Sequence, residues 1–192
     1  MKRVAFGTRV LLSLCVPIIG ACSSGQQGLD GKSDMPSAPA ASVPNASQKN
    51  ITYVPVGGLT NKPLGLGAGH SVSASITVTK AGSVAAFAIF IGNYANTSDG
   101  DLQVKLCQAE TCSEGTSSLL KSKDNSYLVI PLKPELIVRE NAGAVNFVLS
   151  RLGGNKPLVI WGYPPIDPTQ AMKPDGGAPS GLAAKVGLLY TH

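Results

Sequence analysis

The sequence predicts an all-β fold, a β-sandwich of jelly-roll type, and three observations carry that expectation. Apolar and polar residues alternate over short runs, Gly and Pro interrupt the runs at near-regular spacing, and no long stretch repeats with the helical period. Roughly seven to nine short strands broken in this way suit two packed sheets. The pattern begins near residue 51. What precedes it has a different character.

Residues 1–21 have the plan of a secretory leader. Lys2, Arg3 and Arg9 make a basic start, and an apolar run from Val10 is broken only by Ser13 and Pro17. The run is too short for the roughly 20 apolar residues of a membrane-spanning helix. It ends in Ile19-Gly20-Ala21-Cys22, which resembles the lipobox of bacterial lipoproteins. That resemblance implies cleavage before Cys22 and fatty acyl chains, palmitate among them, on that residue. The lipid bilayer is then the first expected partner, since two or more chains give stable anchoring. Ser23 after the cysteine implies, by the same resemblance, an outer-membrane destination. Residues 22–50 are rich in Ser, Ala, Pro and Gly and nearly free of large apolar side chains, a composition expected of a flexible tether spanning roughly 30 Å.

From Ile51 to His192 the chain is long enough for one domain. Ile51–Val56 is a short first strand. Ser71–Val78 alternates, with Val72, Ala74, Ile76 and Val78 facing inward. Ser83–Ile91 is apolar on both faces and is expected to lie centrally. Asn96–Asp101 is a turn, and its Asp99-Gly100 is a strong hairpin signal. Leu102, Val104 and Leu106 alternate with Gln103 and Lys105. Ser126–Leu132, Val145–Leu152, Leu158–Tyr163 and Leu182–Tyr190 complete the strands. Ala109–Leu120 and Asp167–Met172 are the places for a helical turn. Pro164–Gly181, with five prolines, reads as a long loop.

Charge and cysteines limit the function classes. Lys2, Arg3 and Arg9 are three of the sixteen cations and no acid precedes Cys22, so the net charge of +5 drops to +2 on cleavage. The remaining lysines are scattered, unlike the basic face that binds nucleic acid. Of four cysteines, Cys15 leaves with the leader and Cys22 is the lipid site. Cys107 and Cys112 are left as a disulfide pair at the end of a hairpin. A metal site would need further ligands, and the only histidines are His70 and His192. No cofactor motif is present. Gly65-Leu66-Gly67-Ala68-Gly69 lacks the Lys-Ser/Thr ending of a phosphate loop. Neither histidine sits in a hydrolase motif, so a non-catalytic protein is expected. Asp99, Asp101, Asp124 and Asn125 have oxygens that suit calcium, but Asp-Gly and Asp-Asn are ordinary turn residues, and the turn reading is preferred.

Aromatic residues give the binding candidates. Trp161, the single tryptophan, and Tyr163 lie two apart in Lys156–Pro165 and so share one face of a strand. They form either a core pair or a platform on which sugar C–H faces stack, edged by Asn155 and Lys156.

The residues Ile91-Gly92-Asn93-Tyr94, Leu102–Leu106, Asp124-Asn125 and Pro157–Trp161, in that order, resemble β-sandwich modules attached to some bacterial glycosyltransferases. The resemblance implies a non-catalytic, carbohydrate-binding-like domain, with Trp161, Tyr163, Tyr94, Asn93 and Asp124 as ligand-binding residues. The chain differs in lacking a transferase domain and in having the cysteine pair. A glycan or envelope polysaccharide is the expected ligand, and contact with another envelope protein in an assembly is the alternative.

Overall fold

The structure, a computed structural model, describes residues 51–140 and 142–191. The leader, Cys22 and the tether fall outside the described residues. The domain is all-β, with twelve strands among the described residues. They are β1 (Ile51–Tyr53), β2 (Lys62–Gly65), β3 (Ser71–Ile76), β4 (Gly82–Gly92), β5 (Asp101–Gln108) and β6 (Thr111–Ser118), then β7 (Ser126–Val138), β8 (Val145–Leu152), β9 (Val159–Tyr163), β10 (Lys173–Pro174), β11 (Ala183–Ala184) and β12 (Val186–Tyr190). Among the described residues no helix is long and apolar enough to cross a membrane.

The strand pairs are nested: β1 with β12, β3 with β8, β4 with β7 and β5 with β6, all antiparallel. They fall into a front sheet, β1-β12-β4-β7, and a back sheet, β3-β8-β5-β6. This is jelly-roll order. The sheets curl into one another where Glu114 of β6 pairs with Lys133 of β7. β9 extends the front sheet. It joins the edge of β4 at Ile91 and Gly92, just past the end of β12, and carries β2 and β11 with it.

Alternation determines which side chains meet between the sheets. Phe87, Ile89 and Ile91 of β4 and Ile130 of β7 face Leu102, Val104, Phe147 and Leu149 of the back sheet, all essentially sealed from water. Phe87 and Phe147 meet across the gap with ring centroids 5.2 Å apart. Because inner positions alternate with outer ones, Phe90 and Gly92 of β4, Tyr127 of β7 and Trp161 of β9 belong to the outer surface of the front sheet.

Several expectations need correction. The segment expected to hold a helical turn is mostly a hairpin: Ala109, at φ 50°, and Glu110 form its loop, and β6 runs back along β5. Only Leu119–Lys121 winds into a 3-10 turn. β6 gives no alternation signal because Ser113 alone is buried along most of it, its hydroxyl donating to the Pro134 carbonyl. Asp99-Gly100 does not join paired strands. With Gly100 at φ 83°, it carries the chain from β4 in the front sheet to β5 in the back sheet. Within Pro164–Gly181, read as a loop, the helical turn expected at Asp167–Met172 is present as the 3-10 turn Pro168–Gln170, capped by Asp167, and β10 follows it.

The Cys107–Cys112 disulfide bridges residues directly opposite each other in the β5–β6 hairpin, with Cα atoms 4.1 Å apart. Leu106 and Gln108 point inward, which puts the sulfurs on the outer side.

Candidate functional site: an aromatic groove at the end of the front sheet

Trp161 is not a core residue. Ile160 and Gly162 take the inner positions of β9, leaving the indole on the outer surface, partly exposed. Its Nε1–H donates to Asn125 Oδ1 at 2.8 Å, the partner a half-buried indole needs. Beneath the ring lies the bare backbone of Gly92. A Cβ there would fall 2.8 Å from both Trp161 Nε1 and Val159 Cγ2. Pro63, paired with Trp161 across β2–β9, forms one wall, and Tyr94, Asp124 and Asn125 form the other. The result is a groove of about 150 Å³.

The far wall is held by hydrogen bonds to one carboxylate. Asp124 accepts from the backbone N–H of Asn93 at 2.7 Å, Ala95 at 3.1 Å and Asn125 at 3.0 Å. The Ala95 N–H foremost, with the others, holds its carboxyl below the usual carboxylate range against the opposing effect of desolvation. Asn96 Oδ1 accepts from the Asp124 N–H at 2.6 Å, tying the two loops together in both directions. The Tyr94 ring is left about half exposed, 52%, at the groove.

Of the five ligand-binding candidates, the structure brings Trp161, Tyr94 and Asp124 to the groove and keeps two away. Asn93 is fully buried. It donates to the Ser122 carbonyl and hydroxyl at 3.0 and 2.6 Å and accepts from the Asn96 N–H at 2.7 Å, so it positions the loop from below. Tyr163 shares the outer face with Trp161 but is only 7% exposed, with Asn61 on its hydroxyl and the Lys185 ammonium 5.7 Å from its ring. Asn125, which the sequence offered only as a turn residue or calcium ligand, and Gly92 also line the groove. Asn125 follows Asp124 directly and stands at φ 51°, a conformation asparagine tolerates.

Around the groove the loops are fastened by Arg151, 3% exposed. Its guanidinium donates to the carbonyls of Leu66 at 2.9 Å, Asp99 at 3.1 Å and Lys156 at 2.5 Å. Asp99 Oδ1 in turn accepts from the N–H groups of Asn155 and Lys156, each at 2.8 Å, and the Lys156 N–H foremost lowers its pKa. The carboxylates of Asp99 and Asp124 are thus spent on loop backbone. Further along, His70 Nδ1 and Asp175 Oδ2 lie 2.7 Å apart, a pair that 105 residues of separation hid in the sequence. The Ser71 hydroxyl contacts Asp175, at 3.5 Å.

Neither known protein families, nor curated proteins, nor solved structures contain a match to this chain.

Proposed function

We propose that this protein is an envelope lipoprotein whose sandwich binds glycan without transforming it, using the groove of Trp161, Tyr94, Asp124 and Asn125. The observation that carries the reading is the placement of Trp161: a partly exposed ring at the side of a groove, oriented by Asn125, with a second exposed ring, Tyr94, lining the same groove. Apolar ring faces edged by amide and hydroxyl groups match the alternating C–H and O–H surfaces of a sugar. Each net hydrogen bond contributes about 1 kcal/mol against competing water, so dissociation constants from micromolar to millimolar are expected, about −8 to −4 kcal/mol. Titration with envelope polysaccharides should change the emission of the single tryptophan. Followed by calorimetry, since the variant has no tryptophan to report, Trp161→Ala should abolish binding with the thermal midpoint kept. Undiminished binding by that variant contradicts the reading.

The sequence at Cys22 supports attachment to the outer membrane by acyl chains, with residues 22–50 as the tether. Mass spectrometry of the mature N-terminus should find a lipid on Cys22, and Cys22→Ser should release the protein from membranes. A variant that stays membrane-bound contradicts the anchoring.

A second reading, contact with another envelope protein, is favoured by the aromatic cluster of Tyr53, Phe90 and Tyr127 on the same outer surface. It would predict that substitutions at Tyr53 rather than Trp161 disrupt function.

A further inference from the structure

We propose that the recognition site is a cleft longer than the Trp161 groove, which takes consecutive units from within a linear polysaccharide rather than a single sugar or a chain end. This rests on the glycan reading above. Two depressions adjoin on the outer side of the β2–β9 pair. The Trp161 groove, about 150 Å³, shares Tyr94 and Val159 with a second depression of about 330 Å³. A third, of about 280 Å³ beside His70 and Asp175, is lined by the inward-facing Leu64, Ile160 and Val72, so it belongs to the inner side of that pair and not to the cleft.

Glycine borders the junction of the two. Leu66 is 4% exposed, its side chain turned into the core, so Gly65 and Gly67 leave that margin of the second depression as backbone. A Cβ on Gly65 would meet nothing within 4 Å. Gly65 pairs with Val159, putting this open position beside the floor common to the first two depressions.

Volume favours the long cleft. A pocket that encloses a small ligand has about 300–1,000 Å³, and the Trp161 groove alone is about half the lower bound. Its neighbour, at about 330 Å³, lies within that range, so the Trp161 groove reaches a ligand-sized volume only as part of the joined cleft. Polar groups continue along the course: the Tyr94 hydroxyl and the side chains of Asn155 and Lys156. Lys156 is exposed and forms no ion pair among the described residues, so its ammonium is available to hydroxyl or acidic groups of a glycan. Arg151 and Asp99 hold the loops that carry these groups, so the cleft is formed before any ligand arrives.

The test titrates the full-length purified protein with size-graded fragments of bacterial envelope polysaccharide, from single sugars upward, following Trp161 emission. Affinity should rise by about tenfold or more from the shortest fragment that binds to the longest. Gly65→Leu, which puts a side chain at the junction beside Val159, should remove that gain while the thermal midpoint stays unchanged. If that variant proves less stable, Lys156→Ala, on an exposed loop, should also weaken long fragments selectively. Affinity independent of length, or full long-fragment binding by both variants, overturns the long cleft and leaves the Trp161 groove intact. If no fragment of any length changes the emission, the glycan reading itself fails, and the cleft with it.

Discussion

Tyr94, Ala95 and Asn96 take left-handed backbone in succession, at φ 51°, 61° and 66°, with no glycine among them. Each such residue costs about 1–2 kcal/mol, and backbone of this kind persists where surrounding bonds over-determine it. Here the Asp124 carboxylate supplies those bonds, so Asp124→Ala should lower the thermal midpoint and weaken glycan binding together. Asp124→Asn, which keeps one acceptor oxygen, should fall between. The carboxyl titrates lower folded than unfolded, so its stabilisation is present above the ordinary value of about 3.9 and is lost as pH falls through the folded value. Acid titration of the thermal midpoint should therefore show a loss that Asp124→Asn reduces, and identical acid profiles would contradict this. Gly92 is the other decisive residue. Gly92→Ala drives a methyl into the indole and should shift tryptophan emission and weaken binding. Unchanged emission would show that the ring does not rest on that backbone.

The elements differ in how far the sequence disclosed them. β3 and β5 alternate strictly between a core and a polar surface, and that pattern is visible in SVSASI and DLQVKLCQ. β2 and β6 carry no such signal. In β2 a proline packs outward beside Trp161, and β6 is built of small polar residues at the margin of the back sheet. Trp161 was legible as a candidate from its type. The burial of Tyr163 was not, because it depends on the register that brings Lys185, between β11 and β12, over the ring. The same surface collects Tyr127 with Tyr53 at 4.8 Å and Phe90 at 5.2 Å between ring centroids. Burial first, then the neighbouring Tyr53 and Tyr163, pushes the Tyr127 phenol up to about 12. A raised folded pKa means stability that is complete below the unfolded value of about 10 and is lost as pH climbs toward 12. Burial also raises the Tyr190 phenol, so phenolate absorbance should show a late step to which both tyrosines contribute, and Tyr127→Phe should reduce that step by one tyrosine. At the opposite end of β5, some 20 Å from the Asp101 end at the strand rise per residue, the Cys107–Cys112 bridge closes its hairpin. Reducing it should cost about 2 kcal/mol in denaturant unfolding and leave glycan affinity unchanged.

Over the whole molecule the two outer surfaces are unlike. The back sheet shows mostly polar side chains, Ser73, Ser75, Gln103, Lys105 and Asn146, with the aliphatic Val148 and Leu152 among them, whereas the front sheet shows the aromatic Tyr53, Phe90, Tyr127 and Trp161. Sandwich physics needs only the inner faces apolar, so the aromatic front is in excess of what the fold requires. The loops fastened by Arg151 and Asp124 stand at one end of that front, and they turn an aromatic surface into a groove. Because the chain holds a single tryptophan, its indole N–H gives one resonance in a two-dimensional amide spectrum. Titrating the isotope-labelled protein with a bound polysaccharide should move that resonance first, together with the backbone amides of Tyr94 and Asn125, and leave Ser73, Ser75 and Gln103 in place. Shifts centred on the back sheet, or an indole resonance that stays fixed while other residues saturate, would contradict recognition at Trp161.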